Sequence, residues 1–125
     1  MSIAATGTIT FIQTRDLDTA LAFYRDTLGL AHSHFDGFAH VFAMGDATLR
    51  LTQLPDWTAG AHPALGWRVA DIAASVAALK AKGVTLLVYP GMGQDEAGIW
   101  TAPGGVAKVC WFNDPDKNLL SLTQY

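Results

Sequence analysis

Two kinds of side chain in this sequence have the type and spacing to do chemistry. Arg50 and Arg68 each stand inside a short apolar run, Leu49-Arg50-Leu51 and Trp67-Arg68-Val69. A guanidinium presents five N–H donors in a planar fork and no acceptor, the geometry that takes up a carboxylate or a phosphate. His32-Ser33-His34 sets two imidazoles on one face of a strand, and His62 is a third that could join them as metal ligands or proton carriers. The acids lie mostly elsewhere: of eleven, ten are Asp, most at turns or helix starts, and Glu96 is the only Glu. No Ser/His/Asp or Cys/His order has supporting context, and neither Pro90-Gly91-Met92-Gly93 nor Ala102-Pro103-Gly104-Gly105 leads from a strand into a helix as a phosphate loop does.

The elements that must position these groups follow from periodicity. Thr8 to Gln13 is β-like, and Asp16 caps a helix in which Leu17, Leu21, Tyr24 and Leu28 recur at helical spacing until Gly29 ends it. Turns at Asp36-Gly37 and Gly45-Asp46 then divide three antiparallel strands, about 30–36, 38–44 and 47–53. The order is βαβββ. After a loop with Pro55, Trp57 and Pro63 it begins again: Leu65, Trp67 and Val69 alternate in a strand, Asp71 caps a helix carrying Ile72, Val76 and Leu79, Gly83 ends it, and a strand is expected over Val84–Tyr89. Leu49-Arg50-Leu51 matches Leu120-Ser121-Leu122, so the second copy carries an insertion within 90–105, rich in Gly and Pro and a candidate lid.

The expected organisation is therefore a single domain over 1–125, with module one at about 7–53, a linker at 54–62 and module two at about 63–125. A formal net charge of −3 with scattered Lys and Arg leaves no nucleic-acid footprint. No apolar run approaches a membrane span, and the single Cys110 excludes an internal disulfide and fits a reducing, cytoplasmic setting. The last stretch closes the second copy: Asp114-Pro115-Asp116-Lys117-Asn118 turns a hairpin between Trp111-Phe112 and Leu119-Leu120.

Two βαβββ copies, the segment Arg15-Asp16-Leu17-Asp18-Thr19-Ala20-Leu21-Ala22-Phe23-Tyr24 through Leu28-Gly29-Leu30, and Phe112-Asn113-Asp114-Pro115-Asp116-Lys117-Asn118 together resemble the vicinal oxygen chelate superfamily of glyoxalase I, bleomycin-resistance proteins and extradiol dioxygenases. Lys117 stands where that family commonly has Gly, which points to a type I turn with no positive φ there. The resemblance implies an α+β, glyoxalase-like fold whose two curled sheets form a cup with the helices outside, and a homodimer.

Strand parity then sorts the side chains. Phe11 and Gln13, Arg50, Arg68, Trp111 and Asn113, and Ser121 fall on the cup face, and pairing across the turns carries that face to Ala43, Val41, Ala39, His34 and His32. The four positions from which metalloenzymes of the superfamily draw ligands are, by the same resemblance, Ile9, Arg50, Ala64 and Ser121, which is no ligand set. No metal and no cofactor is therefore expected, and no catalytic residue is assigned. The reading is metal-independent binding of a small, anionic and partly apolar molecule by Phe11, Gln13, His34, Arg50, Arg68, Trp111, Asn113 and Ser121, as in the drug-binding branch. The alternative is a glyoxalase- or dioxygenase-type enzyme with an atypical metal site at His32, His34 and His62 or with metal-free acid/base chemistry.

Overall fold

In the computed structural model, which describes residues 2–125, the chain forms two compact units, the first ending at Thr58 and the second beginning at Ala59. Each repeats one plan. In the first, strand β1 (Thr8–Thr14) leads to helix α1 (Leu17–Ala22) and then to β2 (Ala31–Phe35), β3 (Ala39–Met44) and β4 (Ala47–Gln53). The sheet order is β1-β4-β3-β2, with β1 parallel to β4 and the other pairs antiparallel. The second unit sets β5 (Leu65–Arg68), α2 (Ile72–Ala81), β6 (Trp100–Thr101), β7 (Lys108–Asn113) and β8 (Leu119–Gln124) in the equivalent order β5-β8-β7-β6.

The caps act as their residue types require. Asp16 and Asp71 are extended, and their carboxylates accept from Asp18 and Thr19 N–H and from Ala74 N–H respectively. Gly29 and Gly83 take φ of +73° and +87° where each helix is left behind. The closing strands add a second tie: the Gln53 side chain accepts from Leu17 N–H at 3.1 Å, and Gln124 accepts from Ile72 N–H at 2.8 Å. Each last strand thus satisfies the first free amide of its own unit's helix.

One face of each sheet is buried under its helix. Ile12, Phe42, Leu49 and Leu51 lie there with Ala20 and Tyr24, and Cys110, Phe112, Leu120 and Leu122 lie with Ile72, Val76 and Leu79. Burial of about 25 cal/mol per Å2 of apolar surface makes these faces the main source of stability. Cys110 is fully buried among them, and that burial pushes its thiol up to about 11, so it is an inert packing residue.

Four expectations are corrected. The first helix does not run on as a regular α-helix to Leu28: Phe23–Thr27 form a π-helical turn, closed by Leu28 N–H donating to Phe23 C=O at 2.9 Å. The strand expected over Val84–Tyr89 reduces to one bridge, Leu86 opposite Phe112, because β6 returns from the insertion and takes the rest of that edge of β7. Lys117 does adopt a positive φ, +66°. It donates its N–H to Asp114 C=O, and the left-handed step lets Asn118 C=O accept from Asp114 N–H. His32 is on the helix-covered face, opposite Phe42, because the β2–β3 ladder slips at Ser33; only His34, opposite Val41, stays on the other face.

Candidate functional site

The helix-free face of the second sheet carries several of the candidate side chains. Reading across the strands, one row is Gly66 on β5, Ser121 on β8 and Trp111 on β7; the next is Arg68, Thr123 and Val109, with Trp100 on β6 beyond; and Leu119 lies opposite Asn113. All are placed by the alternation that buries Cys110, Phe112, Leu120 and Leu122 on the opposite side. A Cβ at Gly66 would come within 2.5 Å of Ser121 Oγ, so a larger residue here makes the serine side chain move.

Beside this low row stand three rings. Tyr89 meets Trp111 edge-on with centroids 5.6 Å apart, and Trp100 lies 6.3 Å from Trp111 at a tilt of 42°. The indole stays half-exposed on one wall of a groove of about 500 Å3 lined by Pro63, Tyr89, Pro90, Met92, Trp111 and Leu119 among others. Neither Asn113 nor Ser121 makes a side-chain hydrogen bond among the described residues, and no buried side-chain N or O there lacks a partner, so their polar atoms reach solvent. Arg68 is exposed; Nη2 donates to the Tyr125 backbone oxygen at 3.0 Å and the guanidinium carbon sits 4.2 Å above the Tyr125 ring, leaving further N–H donors of the fork for a ligand.

The insertion that carries Tyr89 is held by its own side chains. Gln94 accepts from Tyr89 N–H and donates to Leu87 and Gly98 C=O, while one Asp95 carboxylate oxygen accepts from Ala97 and Ile99 N–H. Asp95 is thus a turn-forming residue.

The same face of the first sheet holds Phe11, Gln13, His34 and Arg50, but its polar groups are bonded to one another. Arg50 Nη1 donates to Asp36 Oδ2 at 2.8 Å, and Asp36 also accepts from Ala39 and Phe38 N–H. These bonds, with the guanidinium, hold the Asp36 carboxyl down at about 2. Thr52 Oγ1 donates to Gln13 Oε1 at 2.9 Å, and His34 Nδ1 is 2.8 Å from Ser33 Oγ. Phe11 is 62 % exposed.

The model of the glyoxalase/bleomycin resistance protein/dioxygenase superfamily matches residues 6–122. The chain belongs to that superfamily. Its fold is glyoxalase-like, α+β, and is shared by solved structures that include the following. TnmS3, an antibiotic binding protein from Streptomyces sp. CB03234, is 24 % identical, with 99 % of this chain and 98 % of that one covered and a TM-score of 0.73. Lactoylglutathione lyase from Agrobacterium tumefaciens is 18 % identical over 98 % and 95 %, TM-score 0.73. An integron cassette protein from the mobile metagenome of V. cholerae is 20 % identical over 100 % and 98 %, TM-score 0.72. No curated protein matches the chain.

The donor set this superfamily would need for a metal does not fit here. Ile9 and Ala64 have no ligating atom, Arg50 is a cation already bonded to Asp36, and Ser121 offers one neutral hydroxyl. No three His, Cys, Asp or Glu side chains converge among the described residues. His32 Nε2 instead lies 3.0 Å from His40 Nδ1, and His62 is an exposed loop residue of the second unit. Burial, and then the neighbouring His32, hold the His40 imidazole below its ordinary pKa. No helix is long and apolar enough to cross a membrane among the described residues.

Sequence reasoning missed two site residues. The strand expected over Val84–Tyr89 leaves Tyr89 off the site, and Trp100, inside the expected insertion, pairs with Val109 and faces Trp111. The available signal was the aromatic character of both ends of the insertion, Val88-Tyr89 and Ile99-Trp100.

Proposed function

We propose that this superfamily member is a metal-independent binder of a small, anionic, partly apolar molecule, seated on the helix-free face of the second sheet. The observation that carries the reading is Trp111, held half-exposed between Tyr89 and Trp100 on the wall of a groove of about 500 Å3. Apolar and aromatic walls with a few convergent polar groups are the composition of small-molecule sites. Gly66 and Ser121 keep the surface low between Trp111 and the far edge, where Arg68 stands two strands across and one row along, about 12 Å at ordinary strand geometry. A ring against the indole and an acid group at the guanidinium suit that span, and the antibiotic binding protein TnmS3 shows the fold in a binding role. Arg50 is a poorer anchor, its charge being already met by Asp36. A cytoplasmic homodimer belongs to the same proposal. It is supported by Ile9 and Phe11, 56 % and 62 % exposed on the edge strand β1, and sedimentation equilibrium reads it directly.

The test is a thermal-shift and tryptophan-fluorescence titration with aromatic carboxylates, their methyl esters and the corresponding amines, in the presence of a chelator. Carboxylates should raise the midpoint, because a ligand that binds only the folded state stabilises it by mass action. Trp111→Ala should abolish the shift for every compound, and Arg68→Ala should reduce it for acids while leaving esters unchanged. A response confined to amines, a response that survives Trp111→Ala, or one that requires an added divalent metal would overturn the proposal.

A further inference from the structure

Resting on that reading, the ligand's ring can be specified further from Asn113. Its residue type and surroundings are unlike those of its counterpart. Phe42 and Phe112 occupy the same register position in the two units, opposite Leu49 and Leu120, so Ala43 is the counterpart of Asn113 and Val41 that of Trp111. Two small apolar residues in one copy are thus an indole and a carboxamide in the other. Asn113 is two residues from Trp111 on the same face, about 7 Å along the strand, and it lies opposite Leu119, which lines the groove.

A carboxamide presents one acceptor and two donors side by side in a plane. Here that edge has no hydrogen bond among the described residues and is accessible, next to an indole face on which a flat ring can lie. A pair of hydrogen bonds to Asn113 requires a ligand edge with an N–H donor and a C=O acceptor adjacent and coplanar. We propose that the ligand is a planar heterocyclic lactam, stacked on Trp111 and read at its N–H/C=O edge by Asn113, with Ser121 Oγ the next polar group along the sheet.

Quinolin-2-one and coumarin form the decisive pair, since they differ only in a ring N–H replaced by a ring oxygen. Calorimetric titration of the full chain should show the lactam binding at least tenfold tighter, because coumarin offers two acceptors to a site that presents an acceptor of its own. In Asn113→Leu that preference should fall to about onefold. Asn113→Asp, which keeps only acceptors, should retain part of the preference, and circular dichroism melts confirm that each variant folds. Equal binding of the two compounds by the native chain, or a preference that survives Asn113→Leu, overturns the lactam edge while leaving the binding site intact. Failure of both compounds to bind while aromatic carboxylates still shift the native chain overturns the lactam edge alone; failure of the carboxylates as well, or binding unaffected by Trp111→Ala, overturns the site and the lactam edge together.

Discussion

Across the middle of the two sheets, equivalent rows read Phe11-Arg50-Val41 in the first unit and Gly66-Ser121-Trp111 in the second. The bulk has moved from one side of the sheet to the other. In the first unit large side chains on β1 and β4 stand beside a buried Val41, and Arg50 is tied down by Asp36. In the second the corresponding positions are a glycine and a serine, and the large residue rises from β7 beside a groove. One backbone plan therefore yields a face whose polar groups satisfy each other and a face whose polar groups are left for something else. The exchange costs the fold little, since the helix-covered side keeps the same pattern of Leu and Phe in both copies.

The sharpest way to probe that contrast is at the turns that set the register of each face. Asp114 is buried and accepts from Asp116 N–H, Asn118 N–H and Asn118 Nδ2, whereas its counterpart turn at Gly45-Asp46 is exposed. Asp114→Ala should lower stability by about 3 kcal/mol in urea denaturation, and Asp46→Ala by less than about 0.5 kcal/mol. Similar costs at the two sites would show that the second unit's hairpin is not the more strictly specified one.

Lys117 gives a smaller effect of opposite sign. A lysine at φ of +66° bears a steric penalty that glycine avoids, so Lys117→Gly should stabilise the protein by about 1 kcal/mol. A neutral or destabilising result would mean that the lysine side chain contributes more than the backbone loses.

The smallest effect concerns the first face and acid. Asp36 has a folded-state pKa of about 2, lowered by N–H donors from Ala39 and Phe38 and by Arg50. A depressed carboxyl contributes stability that is full above its ordinary 3.8 and is lost as pH falls from there toward 2. Asp36→Asn should accordingly flatten the fall in melting temperature over that window and leave the second unit's ligand response untouched. Parallel acid profiles for the two proteins would count against the bonds that Asp36 makes to Ala39, Phe38 and Arg50.

How much of this was legible depends on how regular each strand is. On β7 and β8, Cys110, Phe112, Leu120 and Leu122 alternate so strictly that Trp111, Asn113 and Ser121 had only one face available. On β2, parity failed beyond Ser33, because a slipped pair leaves no mark in residue type and reverses every side chain past it. The ties from Gln53 and Gln124 were written plainly: the runs Leu51-Thr52-Gln53 and Leu122-Thr123-Gln124 are identical, and only the use made of the glutamine, reaching another element, lay outside pattern reading. Tyr89 and Trp100 could not be placed by periodicity because the segment between them follows none. The pairing of Arg50 with Asp36 likewise depends on two residues distant in sequence meeting across three strands.

That segment, from Tyr89 to Ile99, has its main polar ties, Gln94 and Asp95, directed to itself and to Leu87 beside it. A loop that satisfies its own backbone makes few demands on the sheet that bears it. Changes of side chain over 90–92 can therefore accumulate without disturbing the register beneath, and each redraws the groove beside Trp111. Under the binding role proposed above, ligand preference can drift while the architecture stays still.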